Sequence, residues 1–520
     1  MKWRDDLIMK RKLFSLAMKK FLTFVLVLAM VLSVSSVALA AGPYPVYIGG
    51  TQVTDSNASD VLGDGKVSYD PVTNTLTLNN ASIESNMARG IQVTSGGLNI
   101  ELKGTNTIES VWNGIEVAGN LTISGDSNAK LTITISNDNR YAIVTTNGGD
   151  VSISNTALEI SGPAIAVPSA GDINVEESNI NAEAETSVFF AGADLIGDQA
   201  NGGNITIKNS IIDASINDVD FGAIQALGSV KVEESQVAVE STGNGAKAIA
   251  TTNMGGSPSD YDITITDSSV DATSASNSAI DSANAVKITD SAVNAEAADG
   301  GNGIKAENTN ESAVSGSWVE TSGENDNLGI VKDSAVIKDG TGEVIGNAVI
   351  KQDVSISQGT TLTIPAGSSL TIAQGAEVSN NGKIENNGTL TNNGTLDNSN
   401  GGTVEGTGEI INPSAPNPKP EETKSNVPGV SYECGNTFKM ETSKAPTAVL
   451  VDGVSVPFSA DGKTLYVNVS GGNHWMTVEW MSTTYTFNFT CNDACQIVEV
   501  AIPKTGDMPI WAAIAAVFGF

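Results

Sequence analysis

The chain is nearly without the side chains that enzymes use most. One histidine, His474, occurs in 520 residues, and only four arginines, Arg4, Arg11, Arg89 and Arg140. General acid–base chemistry and phosphate recognition draw on those two types, so the chain is poor catalytic material. Aromatic residues make up 5% of it, which leaves few stacking surfaces. Three cysteines, Cys434, Cys491 and Cys495, allow one disulfide and leave one thiol over, and the sequence does not choose the pair. Positive charge is scarce as well: 27 Lys and Arg stand against 59 Asp and Glu, a net of −32. Seven of those basic and two of those acidic residues fall within the first 40, leaving 20 against 57, a net of −37, in the remainder. Such a chain repels nucleic acid and anionic bilayers, so neither is an expected partner.

What the sequence has in excess is repetition. The pattern aliphatic-x-aliphatic-x-x-Ser/Thr-x-aliphatic recurs from Val151 to Thr321, with its hydroxyl at Thr156, Ser178, Ser210, Ser235, Ser268, Ser291 and Ser317. The steps are 22, 32, 25, 33, 23 and 26 residues, so a fixed core alternates with loops of varying length. A small residue followed by Ile interleaves with it, at Gly90-Ile91, Gly114-Ile115, Ala142-Ile143, Ala223-Ile224, Ala248-Ile249, Ala279-Ile280 and Gly303-Ile304 among others. Periods of this size predict a solenoid whose units bury their apolar faces only against their neighbours. Alternating apolar positions in runs of three to five predict strands, and the fold class expected is all-β, a single-stranded parallel β-helix. Roughly ten coils, about 4.8 Å apart, would align the hydroxyls in an interior or corner ladder. The small residue before Ile is expected to let the backbone turn tightly. The pattern resembles the pectate-lyase-like solenoid superfamily.

The organisation expected along the chain has seven parts. Residues 1–40 read as a signal peptide: Lys10, Arg11, Lys12, Lys19 and Lys20 precede the apolar run Phe21–Leu32, and Ala38-Leu39-Ala40 offers a small-x-small cleavage site at Ala38 and Ala40. That run is shorter than the ~20 residues of a membrane span, and Met18 is an alternative start to Met1. Residues 41–85 read as an N-terminal β cap, with the Asp60–Gly65 stretch a plain turn because it lacks the spacing and closing Glu of an EF-hand. Residues 86–345 are the coils. Residues 346–410 shorten the period: Asn381-Gly382, Asn387-Gly388 and Asn393-Gly394 recur every six residues, with each Gly expected at positive φ, as a narrower continuation of the helix. Residues 411–430 are a Pro-rich linker, and 431–500 a small, sandwich-like all-β domain. Residues 501–520 open with Ile502-Pro503-Lys504-Thr505-Gly506 before the apolar stretch Met508–Phe520.

Those last five residues resemble the sorting signal of Gram-positive cell-wall proteins, in which Leu-Pro-x-Thr-Gly precedes a membrane segment and a basic tail. The resemblance implies cleavage by a sortase between Thr505 and Gly506, joining of Thr505 to peptidoglycan, and a place outside the cell. Ile502 stands where Leu is usual, and the apolar stretch ends without a basic residue, as in a chain cut short. The stretch Thr107–Gly125, with Asn113-Gly114-Ile115 and Leu121-Thr-Ile-Ser-Gly125, resembles β-helical carbohydrate-binding proteins of Gram-positive anaerobes. Its motifs are repeat consensus and locate no binding residues.

Candidate chemistry on the coils is sparse. Arg89 and Arg140 look isolated, and Lys208, Lys231 and Lys287 read as outward-facing residues of the second strand, so a lyase base beside clustered carboxylates is not expected. Glu177, Asn209, Glu234, Asp267 and Asp290 precede successive hydroxyls. The simplest reading of that row is a solvated acidic corner, since stacked like charges in water repel by only about 1 kcal/mol. The functional reading is calcium bridged by Glu234, Asp267 and Asp290, the one cofactor the residues suggest. Aromatics along the coils are Trp112, Tyr141, Phe189, Phe190, Phe221, Tyr261 and Trp318, with Phe189-Phe190 either an exposed clamp or core. In the C-terminal domain Trp475, Trp480, Tyr485, Phe487 and Phe489 alternate along strands, and His474 reads as a loop residue. The expected function is that of a monomeric, non-catalytic, wall-anchored surface protein in adhesion or polysaccharide binding. The alternatives are a calcium-assisted carbohydrate-binding protein and a polysaccharide lyase.

Overall fold

The computed structural model describes residues 43–412, apart from 127, 138, 196–198, 201, 218–220, 254–260, 299 and 324–325, together with nine strands between Val430 and Ala501. The expected signal peptide with Ala38 and Ala40, the sorting motif Ile502–Gly506, Cys434 and Cys495 lie outside the described residues, as does the side chain of Cys491. The chain divides into two compact units at Ile411/Asn412.

The first unit is a parallel β-solenoid with three faces. Each coil opens on a short strand of the small–Ile type, which forms the first face. A strand such as Val151–Ser154 follows in a second, twelve-stranded face, and one such as Ala157–Ser161 in a third, fifteen-stranded face. Equivalent residues stack in register: Leu121 on Val151, Ile173, Ile205, Val230, Ile263 and Val286 along the second face. These aliphatics are at most 2% exposed. Burial of one Ile or Val is worth about 1.5–3 kcal/mol, and each is buried only because the coils on either side exist.

The predicted hydroxyl ladder is present and longer than expected. Ser178, Ser210, Ser235, Ser268, Ser291, Ser317 and, one coil further, Ser334 are buried. Each donates to the carbonyl two residues before it at 2.6–2.8 Å. Each also accepts the N–H of the hydroxyl residue in the preceding coil, at 3.1 Å except for the 3.4 Å bond from Thr156. The small residue before Ile has a reason other than the one expected. Gly90, Gly114 and Gly303 do not have positive φ. A Cβ at Gly90 would stand 2.4 Å from Ile108 Cγ2, and one at Gly303 would stand 2.0 Å from Thr321 Oγ1. Space against the third face selects small side chains there.

The N-terminal end is closed by reversal of strand sense. Val46–Ile48 pairs antiparallel with both Thr51–Gln52 and Ile91–Val93. The hairpin Val67–Asp70/Thr75–Asn79 meets the second face through its second strand, which runs parallel to Leu98–Lys103. The Asp60–Gly65 stretch is a turn: Asp60 Oδ1 accepts the N–H groups of Gly63 and Gly65 at 2.9 and 3.0 Å.

At its other end the solenoid changes sides. Ser334–Lys338 and Thr341–Ile345 form an antiparallel hairpin across Asp339 (φ 47°) and Gly340 (φ 76°), the two left-handed residues that a tight hairpin turn demands. On the third face, Val293, Ala295 and Val319 point into the first core, while Ala292, Trp318, Ala335 and Ile337 belong to a second core with Val344, Ala348 and Ile350. Alternate residues of a strand face opposite ways, so this second core lies on the outer side of the same sheet. The coils from Thr341 to Ile411 are therefore a second, narrower solenoid sharing one wall with the first. They are not a simple continuation. Strand direction and core side both invert, and the two inversions together leave the hand of winding unchanged.

Each six- to eight-residue repeat here makes one face of a triangular coil. Asn380, Asn386 and Asn392 stack on Ile356, Ile364 and Ile372 at its three corners. Gly382, Gly388 and Gly394 do not have the positive φ that their Asn-Gly context predicts. A Cβ on any of them would lie 2.3–2.5 Å from two carbonyl oxygens of the preceding coil, so close backbone approach excludes a side chain.

The described residues of the second unit form two antiparallel sheets, of four and five strands. Its longest pairing joins Gly472–Trp480 to Thr483–Asn492, with Met476 opposite Phe487 and His474, placed on a strand here, opposite Phe489.

Two predictions follow from the packing. Gly388→Ala should lower stability by about 1–3 kcal/mol, read as a lower urea midpoint and faster proteolysis within residues 341–411; a variant as resistant as the parent refutes the close-approach account. Glu320 sits one strand before Ile337 on the shared sheet. Burial, with the Glu296 carboxylate beside it, holds its pKa above the ordinary 4.5. A raised carboxyl pKa means that the folded state prefers the proton, so charged Glu320 opposes folding above that folded value and not below 4.5. Glu320→Gln should raise the unfolding temperature at pH 7, with the gain fading by pH 4; a gain that does not depend on pH contradicts this.

Candidate functional site

The acidic row beside the ladder is a feature of backbone conformation. Asn155, Glu177, Asn209, Glu234, Asp267, Asp290 and Asp333 all have φ between 47° and 52°, and Gly316 at the same corner has φ 63°. Asn, Asp and Gly are the residues that tolerate this left-handed region. From Asn155 to Gly316 each member sends its N–H to the next coil, as Glu234 does to the Thr266 carbonyl (3.1 Å) and Asp267 to that of Thr289 (3.1 Å). That turn aims the following Ser N–H along the axis, into the ladder. Glu234, Asp267 and Asp290 therefore occupy consecutive corners, as predicted. Asp290 pairs with Lys351 of the second solenoid at 3.0 Å. Among the described residues no group of three or more His, Cys, Asp or Glu side chains converges.

The predicted outward lysines are on the second face, and each meets a carboxylate: Lys208 with Glu176 at 3.7 Å, Lys231 with Glu233 at 2.8 Å, and Lys287 with Asp262. Two buried carboxylates escaped the sequence reading. Asp281 lies between Lys247 (2.8 Å) and Lys305 (3.4 Å), which come from the coils before and after it. Asp262 accepts from Asn284 at 2.6 Å as well as from Lys287. Their signal was the lysine one coil away, visible only once register is known.

Among the aromatics the structure separates core from surface. Phe189 is fully buried in the first core, Tyr261 is 3% exposed, and Trp318 is enclosed between the two solenoids. Trp112, at 37%, and Phe221, at 41%, remain exposed. They lie towards the two ends of a row on the outer side of the first face. Between them come Tyr141, which bridges to Ile165, and Phe190, packed with Ile165, Ala193 and Leu227 and meeting the Phe221 ring edge-on at 5.9 Å. The row spans five coils, four steps from end to end, and the Ile165 coil contributes no aromatic to it. Phe190, buried at 7% exposure, is not an exposed clamp: it fills a small satellite core on the outer side of the first face.

Arg89 and Arg140 are not isolated. They come from the coils before and after Trp112, and their guanidinium carbons lie 5.8 and 4.0 Å from its ring centroid. Arg89 Nε also bonds Glu116 at 2.6 Å. Glu116 is held by Asn113 Nδ2 (2.7 Å) and Gln92 Nε2 (3.3 Å), while Asn113 Oδ1 accepts the Tyr141 N–H at 3.1 Å. Burial raises the Tyr141 phenol above its usual pKa, and the adjacent Arg140 opposes that shift. An open groove of about 720 Å³ lies elsewhere, beside the core switch, lined by Val336, Glu343, Ile345, Thr363 and Pro365 among others. Glu343 is its only ionisable group, which gives it no acid–base pair. No protein-family model matches the chain, and no curated protein sequence does either.

If the corner row is set by conformation, Glu234→Asn, a residue more at ease at φ 50°, should keep or raise stability by up to about 1 kcal/mol. Calorimetric unfolding of parent and variant with and without Ca²⁺ tests this. A Ca²⁺-dependent stabilisation present in the parent and lost in the variant would favour the metal-binding reading.

Proposed function

We propose that the protein is a secreted surface protein, joined to the cell wall through Thr505, that binds polysaccharide in adhesion and does not cleave it. The observation that carries this is the row Trp112–Tyr141–Phe190–Phe221. Its members sit at different levels along their strands but come from four of five successive coils, so a linear polymer lying along the solenoid would meet an aromatic side chain on most of them. Exposed aromatic side chains, here Trp112 and Phe221, suit sugar rings, which are apolar on one side and polar at the rim. A non-catalytic role is supported by the pairing of Lys208, Lys231 and Lys287 with carboxylates, since a lyase needs a free base facing its substrate. A sortase acting at Ile502–Gly506 would place the column outside the wall, and the mature net charge of −37 favours a well-solvated rod.

A glycan array probed with and without Ca²⁺ should show binding that is independent of the ion. Phe221→Ala should weaken the best ligand at least five-fold without lowering the unfolding temperature. Binding only with Ca²⁺ would favour the calcium-assisted alternative, and unsaturated products from the bound polymer would make the protein a lyase.

A further inference from the structure

Only two arginines occur beyond the first 40 residues, and the fold places both beside one tryptophan. Their surroundings differ. Arg89 is neutralised by Glu116, which Asn113 and Gln92 hold in place. Arg140 lies 4.0 Å from the Trp112 ring centroid and has no carboxylate within ion-pair distance among the described residues. Its Nε is buried without a hydrogen-bond partner. A buried donor left unpaired costs about 1–3 kcal/mol, and in a chain with more than two acidic side chains for every basic one a partner would be easy to supply. A guanidinium fixed by an aromatic ring presents its planar donors in a set direction, the geometry that receives a carboxylate bidentately.

We propose that Arg140, seated on Trp112 and backed by Arg89, receives the carboxylate of a single acidic sugar within an otherwise neutral glycan. The inference rests on the polysaccharide-binding reading above and names the chemistry of one end of that site. The restriction to one carboxylate comes from the charge of the rest of the column. A polyuronate laid along the row would meet the Arg140 guanidinium and then the rest of an acidic column, whereas an isolated carboxylate falls within about one screening length, ~8 Å, of the arginines. The neutral sugars would extend towards Tyr141 and Phe221.

The test uses oligosaccharide pairs that differ by one acidic sugar, sialyllactose against lactose and a glucuronic-acid-substituted xylotetraose against xylotetraose, with polygalacturonate as the polyanion. The full-length protein should bind the acidic member of at least one pair ten- to a hundred-fold more tightly than its neutral partner, and polygalacturonate no better than that neutral partner. Arg140→Ala should abolish the preference. Arg140→Lys, which keeps the charge but loses the planar fork, should reduce it while leaving the unfolding temperature in place. Equal binding of both members of each pair overturns this inference and leaves the glycan reading standing. Tight binding of polygalacturonate that survives Arg140→Ala overturns it too, and failure to bind any glycan on the array removes both.

Discussion

Stacking of like on like, one coil at a time, is the constraint on which the rest of the solenoid depends. An Ile on the second face is buried by the Ile or Val above and below it, and its backbone is hydrogen-bonded in the same two directions. No coil has a core of its own. Register is consequently strict, because a slip of one residue would exchange the aliphatic and polar sides of the strand. The hydroxyl ladder reinforces that register. From Ser178 onward each ladder side chain satisfies its own coil's carbonyl and the preceding coil's N–H together, so a coil out of step would leave both groups buried and unpaired.

The same constraint explains why the corners carry a row of acidic and amide side chains. A left-handed residue is needed before each hydroxyl, and among side chains that tolerate that conformation Asn and Asp lead. In an acidic chain the outcome is a column rich in carboxylates. The glycines of the second solenoid carry a related lesson. Asn-Gly suggests a turn with positive φ, yet at Gly382, Gly388 and Gly394 the backbone conformation is ordinary and the carbonyls of the coil below exclude a Cβ.

The change of side at Asp339-Gly340 divides the unit without breaking it. One sheet serves as a wall for two cores, the first closed over by short strands and the second by three-faced coils of about twenty residues. The residues that mark the transition are those whose outward positions become apolar, Ala292, Trp318, Ala335 and Ile337. Glu320, in the same outward row, is left partly desolvated beside them, which accounts for its raised pKa.

The sequence by itself determined the parallel solenoid, its two or three short strands per coil, the ladder from Thr156 to Ser317 and the place where the period shortens. All of these are local patterns repeated, and repetition survives without knowledge of the loops between. It could not show that the second solenoid lies on the opposite side of its sheet, because an apolar residue at Ile337 reads the same whichever core receives it. Nor could it bring Arg89, Trp112 and Arg140 together. They are separated by 23 and 28 residues along loops of unequal length, and only the register between coils makes them neighbours. Identical rungs specify the column; the odd side chains that break the repeat acquire their meaning from the coil above and the coil below, which tertiary structure alone assigns.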